Sequence, residues 1–103
     1  MQHGYNLNLP AADRDFLVAL FHERLPEAQV WVYGSRISGR GHAGSDLDLV
    51  LRTKTGPIPS QILASLRERI GNSNLPIGVD LHDWGALPAS FQAEIEKHHL
   101  VLV

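Results

Sequence analysis

Residues 34–48 read GSRISGRGHAGSDLD, and the assignment of the fold turns on them. The apolar run Val30-Trp31-Val32-Tyr33 enters this stretch as a strand. Gly34-Ser35 turns the chain, a glycine-rich loop follows, and a second strand opens on Asp46-Leu47-Asp48. Side chains on a strand alternate between faces with a period of two. Asp46 and Asp48 therefore share one face, and Leu47 and Leu49 turn the other way into a core. Carboxylates side by side repel each other and oppose folding. A divalent cation relieves the repulsion, and hard oxygen ligands of this kind suit magnesium or manganese. The ordinary alternative is a pair of solvated turn aspartates at a strand start, and on Asp46 alone that alternative prevails.

The wider spacing carries more. Gly34-Ser35, ten intervening residues (36 to 45) and then Asp46-Leu47-Asp48 resemble the signature of the DNA polymerase beta superfamily of nucleotidyltransferases. The nearest likeness is to its smallest branch, the minimal nucleotidyltransferases. Members of that family carry a third carboxylate on a later strand, and Asp80 in Ile77-Gly78-Val79-Asp80-Leu81 stands where it belongs. The resemblance runs from about Pro10 to the end of the chain. Asp83 competes with Asp80 for the third position, but it falls on the opposite face and at the strand end.

The resemblance implies an α/β (α+β) fold, one small domain over residues 1–103 with a mixed β-sheet backed by helices. It implies catalytic and metal-binding roles for Asp46, Asp48 and Asp80, with two Mg2+ ions, or Mn2+ in their place. The reaction implied is transfer of NMP, by family default AMP from ATP, to an acceptor. Because minimal nucleotidyltransferases are commonly encoded beside a small helical HEPN protein, the implied acceptor is a tyrosine of a partner HEPN RNase toxin. The chain would then act as a type VII-like antitoxin. Two other readings stay open: a catalytic subunit that modifies a small molecule such as an aminoglycoside, and a non-catalytic antitoxin that works by covering its partner.

Elementary chemistry suggests roles for the turn. Gly34 lets backbone approach a triphosphate closely. Ser35 at a helix start can offer its N–H and hydroxyl to a phosphate oxygen, or serve simply as an N-cap. Arg36 can grip phosphate with two parallel hydrogen bonds, or stand as a surface arginine. The loop itself is not a P-loop, because Ser45 follows Gly44 where that motif demands lysine. Nor is Gly39-Arg40-Gly41-His42-Ala43-Gly44 a dinucleotide fingerprint, since it leads into a strand and not a helix.

The chain has 103 residues, 44% of them hydrophobic, which suits one domain with a real core. Net charge is −2, so nothing points to a general nucleic-acid binder. The absence of cysteine excludes a thiolate metal site and fits a cytoplasmic setting. No stretch approaches the ~18 apolar residues of a membrane span, and no signal peptide is visible at the start.

Taken in order, residues 1–8 are expected to be loose. Asn8 is placed to cap a first helix with Pro10 in its early turn, ending near Leu25 before Pro26. Strands follow over Gln29 to Tyr33 and Asp46 to Arg52, with a short helix from Ser35 between them. Ser60 is placed as the N-cap of a helix closed by Gly71, and a third strand covers Ile77 to His82. Pro88 fits the first turn of a last helix with Phe91 and Ile95 inward and His98-His99 at its end. Leu100 to Val103 forms a final strand or an apolar tail. Arg52 and Lys54 are expected in solvent, Trp31 and Trp84 in a core or interface, and His82 on the face of Asp80.

Overall fold

The computed structural model describes residues 9–34 and 46–103. Ser35, Arg36 and the glycine-rich loop lie outside the described residues, as do Asn8 and the helix expected from Ser35. The elements are α1 (Ala11–Arg24), β1 (Gln29–Tyr33), β2 (Leu47–Arg52), α2 (Ser60–Gly71), β3 (Val79–Asp83), a 3-10 turn (Trp84–Ala86), α3 (Ala89–Lys97) and β4 (Leu100–Val101). The four strands form one sheet in the order β3-β2-β1-β4. β1 runs antiparallel to both β2 and β4, and β2 runs parallel to β3. The sheet is therefore mixed. Parallel neighbours cannot be joined by a tight turn, and α2 supplies the crossover between β2 and β3.

Alternation along the strands divides the core in two. Val30, Val32, Leu47, Leu49, Leu51 and Leu81 point to one face, where Leu17, Leu20 and Phe21 of α1 and Leu66 and Ile70 of α2 cover them. Trp31, Tyr33 and Val50 point to the other, under Ile95 of α3. Strands β1 and β2 thus carry apolar residues on both faces, as central strands between two layers must.

Local chemistry sets the helix starts differently from the expectation. Pro10, Pro59 and Pro88 are the N-cap residues of the three helices, and none offers a side-chain cap. Proline holds φ near its ring value while ψ stays extended, so each helix begins one residue after it. Pro10 and Pro88 thus stand just before their helices, and Ser60 is the first residue of α2 where a cap was expected. Gly71 is the last helical residue of α2, and Asn72 is its C-cap. The third strand starts two residues late, at Val79, and runs on to Asp83.

Two side chains depart from the expectation. Phe91 is 40% exposed and meets Tyr33 edge-on across 5.7 Å, so it lies at the rim of the second layer and not inside it. Arg52 is half-buried, with its guanidinium carbon 4.5 Å from the Trp31 ring centroid and 4.3 Å from that of Trp84. The two indoles meet at 71°, and the cation fills the corner between them. His99 stacks on Trp31 at 3.8 Å, and its Nδ1 lies 2.9 Å from the Ile95 carbonyl at the end of α3. His99 thus finishes the helix as expected and also ties it to the sheet.

The indole corner attracts the cation through the ring quadrupoles, an effect worth about 1–2 kcal/mol when partly desolvated. Arg52→Ala is expected to lower unfolding free energy by about that amount in urea melts followed by circular dichroism. An unchanged midpoint would show the contact to be incidental.

Candidate active site

The site is built where three strands end together. In the parallel pair, Asp48 stands directly opposite Asp80, with Leu47 opposite Val79 and Leu49 opposite Leu81. In the antiparallel pair, Tyr33 stands opposite Asp48. Cross-strand partners share a face, and neighbouring strands lie only ~4.8 Å apart. Asp46 comes just before β2, two residues from Asp48, and so joins the same face. This register brings Asp80 of β3 beside Asp48 of β2. Leu47 and Leu49 are fully buried on the other side.

Asp83, the competitor, has a structural task. Its carboxylate accepts hydrogen bonds from the backbone N–H of Ile58 at 3.0 Å and of Gly85 at 3.2 Å. It fastens the loop before α2 and caps the 3-10 turn, and it points away from Asp80.

Glycine gives the aspartates their room. Gly34 ends β1 with φ +87°, a conformation that side chains disfavour. A Cβ there would also fall 2.5 Å from Oδ2 of Asp48. The position thus has both a backbone and a steric reason to be glycine.

Electrostatics mark the same point. Burial raises the Asp48 carboxyl above its ordinary pKa of 3.8, the Asp80 charge raises it further, His82 opposes and Asp46 adds to the rise. The Tyr33 hydroxyl is pushed up to about 12, by burial first and then by the charges of Asp48 and Asp80. In the sequence Tyr33 stands only as part of an apolar strand. Alternation sets it on the face of Trp31, and the pairing of β1 with β2 sets it opposite Asp48. His82 stands on the face of Asp80 as expected, with its ring 6.5 Å from that of Tyr33.

Among the described residues, no group of three or more His, Cys, Asp or Glu side chains is gathered closely enough to hold a metal ion by itself. The three aspartates form an open row instead. Among the described residues, none pairs with these carboxylates by a salt bridge or hydrogen bond. A mutually repelling row of hard oxygen donors has the chemistry that a divalent cation requires of its ligands. A groove of about 450 Å³ opens elsewhere, between α1 and the turn after α2, lined by Asp13, Phe16, Arg69 and residues 72–75. It borders the helical layer and lacks any such row, so the chemistry points to the aspartates.

Comparison with known proteins agrees with this geometry. Residues 15–103 match the family described as "Polymerase beta, Nucleotidyltransferase", and the chain belongs to that family of nucleotidyltransferases. Members of this superfamily generally use divalent metal ions. The chain is 29% identical over 96 residues to the probable protein adenylyltransferase MntA of Haemophilus influenzae, spanning 93% of this chain and 83% of that protein. In fold it is similar to a chain of a toxin–antitoxin crystal structure with AMP-PNP, with a TM-score of 0.74 at 18% identity. That match covers 88% of this chain and 73% of the other. It is also similar to a chain of the complex between tri-AMPylated Shewanella oneidensis HEPN toxin and MNT antitoxin, with a TM-score of 0.69 at 16% identity. There the coverage is 100% and 72%. Among the described residues, no helix is long and apolar enough to cross a membrane.

The raised Asp48 pKa has a stability consequence with a definite sign. A carboxyl whose folded pKa exceeds its unfolded value stabilises the fold while protonated, and that contribution is lost as pH rises through the folded value. Charged Asp48 therefore works against the metal-free fold at neutral pH. Asp48→Asn is expected to raise stability at pH 7 in chelator by a few tenths to about 1 kcal/mol. The gain should fade as pH falls towards 3.8. Equal melting temperatures of the two proteins across that range would contradict it.

Proposed function

We propose that the protein is a metal-dependent nucleotidyltransferase that transfers AMP from ATP to a protein acceptor, a tyrosine of a HEPN toxin encoded nearby, and so acts as an antitoxin in the cytoplasm. The observation that carries the reading is the register of Asp48 against Asp80 on parallel strands, with Asp46 on the same face. The likeness to an adenylyltransferase and to chains of toxin–antitoxin complexes supports the choice of acceptor.

Asp46, Asp48 and Asp80 are the residues that would hold Mg2+, two ions in this reading, with Mn2+ as the substitute. Bound divalent cations supply charge neutralisation for the triphosphate and alignment of the attacking and leaving oxygens. The chain's residues do the remaining work. Gly34, bare and in a left-handed conformation, leaves backbone open to the triphosphate. Ser35 and Arg36 are proposed as phosphate contacts. The acceptor hydroxyl oxygen attacks the α-phosphorus of ATP, and a new P–O bond forms. The bond from that phosphorus to the bridging oxygen breaks, and pyrophosphate leaves with the electron pair. Asp80, on the outer strand of the row, takes the proton of the hydroxyl. Buried Tyr33, its hydroxyl held protonated, forms the inner wall beside Asp48.

The test is a transfer assay with α-labelled ATP, Mg2+ and the HEPN protein encoded alongside. Label on a tyrosine of that protein is expected. Asp46→Asn and Asp48→Asn should each cut the rate at least about a hundredfold, equivalent to roughly 2.7 kcal/mol of transition-state stabilisation. Chelator should abolish transfer in the unaltered protein. Label confined to small molecules would redirect the reading to a small acceptor. Full neutralisation of the toxin by the double variant, with no label anywhere, would sink the enzymatic account.

A further inference from the structure

Leu47 donates its backbone N–H to the Gly78 carbonyl at 2.9 Å, extending the β2–β3 ladder one step beyond β3. Gly78 thereby comes to lie beside Asp46. A Cβ built on Gly78 would fall 2.7 Å from Oδ1 of Asp46 and 3.2 Å from its Cγ. Real Cβ atoms do not approach other atoms under 3.0 Å. Among the described glycines, only Gly34 and Gly78 show such an approach, and each does so to one aspartate of the row.

The two glycines differ in one respect. Gly34 has a positive φ and would favour glycine whatever its neighbours. Gly78 has no positive φ, so its backbone admits any residue. Gly78 stands between the bend at Pro76-Ile77 and the first residue of β3, Val79, where a glycine costs conformational entropy and contributes no packing. Glycine at such a place marks a tight bend or close approach by another group, and here a group does approach. The group that approaches is the Asp46 carboxylate.

We propose that Gly78 is a positioning residue for Asp46: its missing side chain keeps open the space in which that carboxylate lies beside β3. The proposal rests on the reading of Asp46 as a cation ligand given above. Gly78 touches no reacting atom and acts only through Asp46. A side chain there leaves the fold in place, because the clashing atoms are the free end of a short, exposed side chain. That end rotates away, and the row loses its outer donor.

The test uses the full chain in four forms: unaltered, Gly78→Ala, Asp46→Ala and the double variant. The first readout is the melting temperature in chelator, which needs neither metal nor activity. Glycine to alanine at an unstrained position normally stabilises by restricting the unfolded chain. Gly78→Ala is expected to raise the melting temperature in the Asp46→Ala background and to give a smaller rise, or a fall, in the unaltered one. Such non-additivity is the signature of two groups in contact. Equal shifts in both backgrounds overturn the proposal.

The second readout is Mn2+ affinity by electron paramagnetic resonance. A loss of at least tenfold is expected for Gly78→Ala with an unchanged circular dichroism spectrum. Unaltered affinity overturns the positioning role. If the unaltered protein binds no Mn2+, the cation reading itself falls, while the melting comparison still judges the contact between Gly78 and Asp46.

Discussion

Parallel pairing of β2 with β3 is the constraint on which the rest of the molecule depends. It places Asp48 opposite Asp80 and so sets two like charges side by side on adjacent strands. The pairing is secured from the other face. There Leu47, Leu49, Leu51 and Leu81 are buried beneath α1 and α2. A slip of one residue along β2 would turn Leu47, Leu49 and Leu51 out of the core and Asp48 into it, so hydrophobic burial fixes the register that charge opposes. The unfavourable row is held in place by the favourable layer behind it.

The supporting layer is itself asymmetric. α1 and α2 close one face with a broad aliphatic cluster. On the other face, Ile95 of α3 and the side chains of Trp84 and Leu87 before it pack around Trp31, Tyr33 and Val50. That group is joined by Arg52 and by His99, so side chains from β1, β2, the 3-10 turn and the end of α3 meet in one place. Trp31 Nε1 is buried there without a hydrogen-bond partner, the one such side-chain atom among the described residues. An orphaned donor of this kind costs stability, and the cation and ring contacts around the indole offset it.

Much of this was legible before any coordinates. Period-two alternation put Asp46 and Asp48 on one face, set Leu47 and Leu49 in the core and separated Asp80 from Asp83. Those are local facts about strands. The mixed sheet followed from the family likeness and not from spacing. What escaped notice was non-local. Arg52 looks like a solvated strand-end cation until β1 brings Trp31 beside it and the 3-10 turn brings Trp84. Phe91 sits at helical spacing from Ile95, yet α3 is so short and lies so near the rim that one turn is inside and the next outside. Pro10 and Pro88 fit the first turns of their helices by sequence yet stand just before them, and Pro59 takes the cap position expected of Ser60, because a proline fits either side of that boundary.

The protein has two tryptophans, and both lie in the same corner against Arg52. Its intrinsic fluorescence is therefore not an average over the molecule. It watches one seam, where α3 meets the sheet, and is blind to the aliphatic layer under α1 and α2. An event that loosens α3 while leaving the leucine core intact would change the emission fully, and one that frays the opposite face would pass unseen. The molecule carries a local optical label at the seam that closes the carboxylate-bearing face of its sheet.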